Sequence, residues 1–96
     1  MRDYKIMPLS EILKYEDEMK KKKVSDVARS SSGFLGQYKK HKTFNNFKDK
    51  QVPNGNIDWE EKRKGFIARH YAQYKKNPTE RRRLAMIAWG FLPDSN

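Results

Sequence analysis

The sequence predicts a mainly α protein, a compact bundle of four to five helices with a C-terminal αα-hairpin and one long irregular loop. Three observations carry this. Apolar residues recur at helical spacing over 9–21 and again from Trp59 onward. Asn77-Pro78 separates two such stretches with almost no intervening chain, which makes a tight helix-to-helix joint. Residues 41–57 hold Asn45, Asn46, Pro53, Asn54, Gly55 and Asn56 and read as the loop, with a turn at Pro53-Asn54-Gly55. Ninety-six residues leave room for one core, so 1–96 is read as a single helical domain. Apolar residues are 35% of the chain, and the two Trp, five Tyr and five Phe among them suffice for a modest core.

The first helix is expected over 9–21. Pro8 suits its first turn or Ser10 caps it, and Leu9, Ile12, Leu13, Tyr15 and Met19 follow in helical register. Its early acids Glu11, Glu16, Asp17 and Glu18 and its late Lys20 to Lys23 follow the helix dipole, which accounts for the lysine run without a ligand. Ser25 or Asp26 then caps a short turn carrying Val27 and Ala28, and Gly33 releases the chain into a helical piece with Phe34, Leu35 and Tyr38. In the loop, Phe44 and Phe47 are expected to pack back on the core, because exposed aromatics are costly.

Asp58, three residues before Glu61, opens the longest helix, which runs without a breaker to Lys76. Asn77 is expected to cap the last helix with Pro78 at its first position and Glu80 at its third, and Gly90 and Pro93 mark its end. On the long helix Phe66, Trp59, His70, Arg63, Tyr74, Ile67 and Tyr71 share an arc about 140° wide that faces the core. Opposite it, Lys62, Arg69 and Lys76 form a stripe about 21 Å long, over which one strand of a duplex presents about six phosphates. Ala68 and Ala72 beside the stripe permit a close approach. On the last helix Leu84, Ile87, Ala88 and Phe91 face inward, while Met86 and Trp89 fall on the other side and need a cover, either the N-terminal helix or a second copy of the chain. A homodimer through that surface is expected.

Charge narrows the function. Lys and Arg number 22 against 12 Asp and Glu, a net charge of +10, which points to a polyanionic partner. Residues 1–19 carry three basic and five acidic groups, so the surplus belongs to the basic helical region 24–96 and the preceding lysine run. Arg81, Arg82 and Arg83 lie in the first turns of the last helix, where the dipole and unpaired N–H groups are already positive. A phosphate bound there resolves the conflict; the competing reading pairs one arginine with Glu80 or Glu61, another with acids of the first helix, and leaves the third solvated. With no cysteine, disulfides and thiolate metal sites are excluded, and two histidines do not make an ordinary zinc site. Neither a membrane span nor a signal-peptide core is present, so an intracellular, reducing compartment is expected. Walker-type, HExxH, Ser-His-Asp and metal-nuclease patterns are missing, so neither an enzyme nor a cofactor is expected. Arg63 and His70 within the apolar arc are read as hydrogen-bonded structural groups, and His41, among Lys39, Lys40 and Lys42, as suited to phosphate contact.

The string Val24-Ser25-Asp26-Val27-Ala28-Arg29, then Gly33-Phe34-Leu35 with Tyr38-Lys39-Lys40, Trp59, Lys62-Arg63, Gly65-Phe66-Ile67-Ala68-Arg69-His70 and Asn77-Pro78-Thr79 resembles small basic DNA-associated proteins of large double-stranded DNA viruses of amoebae, those of Marseillevirus-like viruses. The resemblance spans residues 24–90. It implies a viral protein associated with DNA and carried in the particle, in the virus factory or in the host nucleus, and it transfers no catalytic residue.

The expectation is thus a protein that binds double-stranded DNA through phosphates, with little sequence preference, to condense or package a genome. Its expected contacts are Lys39, Lys40, Lys42, Lys62, Arg69, Lys75, Lys76, Arg81, Arg82 and Arg83. Three alternatives stand beside it: RNA binding with Tyr38, Phe44 and Phe47 stacking on bases, a sequence-reading helix-turn-helix protein, and a module that docks an acidic protein.

Overall fold

The computed structural model describes residues 4–53 and 55–93. The chain forms α1 (Leu9–Leu13), α2 (Glu16–Lys22), α3 (Asp26–Arg29), α4 (Phe34–His41), a 3-10 turn (Phe44–Asn46), α5 (Trp59–Lys76) and α6 (Glu80–Ala88). The mainly helical bundle, its C-terminal two-helix unit and the long irregular segment before it are as the sequence predicts. The helix expected over 9–21 is instead two. After Ile12 the backbone switches to i→i−3 bonding, with the Lys14 and Tyr15 N–H groups donating to Glu11 and Ile12 at 3.3 and 3.0 Å. The ladder resumes when the Met19 N–H donates to the Tyr15 carbonyl at 3.1 Å. The bend serves packing, since Ile12 and Met19 on either side of it are both fully buried. Pro8 stands at the cap position of α1, and Ser10 lies inside that helix.

At the end of α2 the Val24 N–H donates to Met19 and the Lys23 N–H to Lys20, the paired bonds of a Schellman turn. Buried Val24 and Met19 supply its apolar contact, but the left-handed position is held by Lys23 at φ 54° rather than by glycine. The same motif closes α6 with Gly90 at φ +78°, its N–H donating to Ile87 and that of Phe91 to Met86.

Asp58 caps α5 as expected, accepting from the Glu61 N–H at 2.9 Å. The cap of α6 is Thr79, whose hydroxyl accepts from the Arg82 N–H at 3.2 Å, not Asn77, which closes α5. Pro8 and Pro78 therefore both fall just outside the helices they announce. The segment between α4 and α5 is tied down by the 3-10 turn, a bridge between Gln51 and Asp58, and N–H donations from Trp59 to Lys50 and from Glu60 to Lys48.

The core is aromatic. Phe34, fully buried, stacks on Trp89 at 5.0 Å and meets Phe47, Phe44 and Trp59 within 6.0 Å. Phe44 and Phe47 pack inward as expected. Met86 and Trp89, expected to need a cover from either the N-terminal helix or a second copy, are buried within the chain itself at 0% and 7% exposure. The cover comes from within the chain: the Trp89 ring packs against Phe34 of α4 and Trp59 and Phe66 of α5, while the N-terminal part contributes α2, which packs on α6, and the Met7 N–H, which donates to the Gly90 carbonyl at 2.7 Å.

Arg63, on the core face of α5, fastens two distant segments, Tyr4-Lys5 and Trp89-Gly90. Its guanidinium donates to the carbonyls of Trp89 (2.7 Å), Tyr4 (2.7 Å), Gly90 (2.9 Å) and Lys5 (3.2 Å). Burial pushes this group down to about 10, opposed by Tyr38 and Glu60, so it stays charged at neutral pH. The Tyr38 hydroxyl does similar work, donating to the Met7 carbonyl at 2.7 Å, and burial raises its pKa above the usual value.

Candidate functional site

The outer face of α5 is as the periodicity requires. Lys62, Arg69, Lys75 and Lys76 are exposed, with Ala68 and Ala72 exposed beside them, while Trp59, Arg63 and Ile67 are buried on the opposite side. The stripe Lys62, Arg69, Lys76 therefore stands free along an 18-residue helix. Lys75 lies over the Tyr71 ring, its ammonium 4.9 Å from the centroid, so its position is fixed by a cation–π contact.

The three arginines of α6 divide. Arg83 forms an ion pair with Glu80 at 3.6 Å, the first pairing of the intramolecular alternative, and lies over the Tyr15 ring at 5.7 Å. Arg82 is half-buried and folds back to donate to the Asn77 carbonyl at 2.9 Å, bracing the joint between α5 and α6. Arg81 is exposed and donates to the carbonyl of Lys22, the last residue of α2. Carbonyl partners satisfy donors without cancelling charge, so Arg81 and Arg82 remain cationic.

That last bond brings three helix ends together: the end of α5 with Lys75 and Lys76, the start of α6 with Arg81, and the end of α2 with Lys20 to Lys23. All seven of these cations are exposed. The helix dipole accounts for Lys20 to Lys23 in the sequence; what sets them beside Arg81 is a contact across 59 residues, which no local pattern contains.

Lys39 stands apart from this corner. It pairs with Glu16 at 2.5 Å, at the opposite end of α2 from Lys22, about 9 Å away along that helix axis. Lys40 and Lys42 are exposed at the end of α4, where Lys42 holds a left-handed φ of 71°. His41 is half-buried and stacks on Phe47 at 5.7 Å. His70 lies flat on Phe66 at 3.9 Å, with Nδ1 2.9 Å from the Phe66 carbonyl. It and Arg63 are hydrogen-bonded within the fold.

The aromatic residues of the RNA alternative are not available for stacking. Tyr38, Phe44 and Phe47 are 4%, 9% and 0% exposed, because they build the core around Phe34. Among the described residues, no three His, Asp or Glu groups gather as a metal site, and no helix is long and apolar enough to cross a membrane. Comparison of the chain with protein-family models, with curated proteins and with solved structures gives no match.

Proposed function

We propose that the chain binds double-stranded DNA through its phosphates with little sequence preference. The observation that carries this reading is the outer face of α5: Lys62, Arg69 and Lys76 are exposed at one-heptad intervals, with small Ala68 and Ala72 beside them. Cations in such a line match the repeating charge of a nucleic-acid backbone, and small neighbours let the helix approach it. The helix ends at the corner where Lys75 and Arg81 add to the charge.

A reader helix in the major groove is a poorer fit to the last helix, since Leu84, Met86, Ile87 and Ala88 of α6 are buried and only Glu80 and Arg81 are exposed. A role in condensing or packaging a genome rests on the resemblance to DNA-associated proteins of amoebal viruses.

Anisotropy titration of a labelled random-sequence duplex tests the reading across ionic strength. With six to ten phosphates engaged, affinity is expected to fall by about 10³ to 10⁵ between 50 and 200 mM salt. Two duplexes of different sequence should give the same curve within about twofold. A flat salt response, or no binding at 50 mM salt, overturns the proposal.

A further inference from the structure

We infer that the lysine end of α2, Lys20 to Lys23, is a second phosphate-contacting segment of the same surface, joined to it through Arg81. The inference rests on the duplex-binding reading above and adds the lysine run that directly follows the acidic residues 1–19.

Three observations lead here. The first is the Arg81 bond to the Lys22 carbonyl, which sets α2's last turn against the start of α6. The terminal carbonyls of a helix attract cations, so four lysines on one helix end are ordinary by themselves. Here a fifth cation already occupies a terminal carbonyl, and the four lysines are exposed. Among the described residues none of Lys20 to Lys23 forms an ion pair, whereas Lys14, Arg29, Lys39 and Arg83 do.

The second is the backbone at Lys23. A left-handed φ of 54° closes the helix, a position that glycine fills without steric cost and a lysine does not. Gly90 takes the same place in the equivalent turn of α6. A cation thus occupies a position where backbone sterics favour another residue, at the end of the exposed run.

The third is the polarity of α2. Glu16, Asp17 and Glu18 fill its first turn and Lys20 to Lys22 its last. A polyanion is attracted at the lysine end and repelled at the other, where Glu16 already holds Lys39. The acidic end of α2 therefore marks an edge of the binding face, and Lys39 falls beyond it.

The test uses the full chain and the labelled duplex in 50 to 200 mM salt. Replacing Lys20, Lys21 and Lys22 together by Gln is expected to lower the salt slope by about 2.7 and the affinity at 100 mM by about 10²-fold. Lys39→Gln should stay within about twofold of the parent. Lys23→Gly separates charge from strain: it should raise the urea midpoint while weakening duplex binding by about five- to tenfold. Circular dichroism of the triple variant should match the parent, since the three side chains are exposed. If the parent binds with the expected salt dependence and the triple variant and Lys23→Gly bind equally well, the inference fails while the duplex reading stands. If the parent itself shows no salt-dependent binding, both fail.

Discussion

Arg63 shows why a charged residue can sit inside an apolar arc. It donates four hydrogen bonds to backbone carbonyls of two distant segments, and it is buried at 4% exposure with no ion pair among the described residues. Arg63→Ala should cost about 3–4 kcal/mol, because it strands several buried carbonyls at once. Arg63→Lys should recover about half of that, since an ammonium offers three donors from one point and not a planar fork. Urea denaturation of the two variants measures both; a loss under 1 kcal/mol for the alanine variant would show that water serves those carbonyls equally well. The sequence reading placed this residue correctly on the core face and as a structural group, but not its partners. Carbonyls leave no mark in a sequence, and the contacts span 58 and 59 residues on one side and 26 and 27 on the other.

At the scale of elements, legibility followed locality. The whole of α5 was readable, because its cap, its unbroken register and its polar outer face are all written within Asp58 to Lys76. The break between α1 and α2 was not, since neither Pro nor Gly stands at Lys14-Tyr15 and the bend answers to the packing of Ile12 and Met19. The end of α2 is concealed in the same way by a lysine in the place of the usual glycine. Gly33 was read as a point of release, yet its φ of −88° is ordinary. What requires glycine there is proximity: a Cβ would lie 2.0 Å from the Val27 carbonyl oxygen and 2.6 Å from that of Ala28. Gly33→Ala should therefore push α3 off α4 and cost about 1–3 kcal/mol. A calorimetric midpoint unchanged by this substitution would mean that the α3 to α4 corner relaxes freely.

On the scale of the whole molecule, the proposed binding surface is only half visible in the sequence. The cationic stripe on α5 follows from periodicity, but the corner of three helix ends depends on how α2 meets α6, and local sequence does not encode that meeting. The apolar second side of α6 was read correctly as needing a cover, and the chain supplies it. Met86→Ala should accordingly cost about 2–5 kcal/mol, with an unfolding midpoint independent of protein concentration. A midpoint that rises with concentration would instead place a second copy over this helix.

The clasp made by Arg63 also shapes how the fold comes apart. If the segment at Tyr4-Lys5 or the one at Trp89-Gly90 peels away, the guanidinium loses two of its four carbonyl acceptors, which weakens its hold on the other segment. Fraying that begins at Tyr4 is thereby coupled to fraying at Gly90, and the two segments behave as one cooperative unit although they lie far apart in sequence.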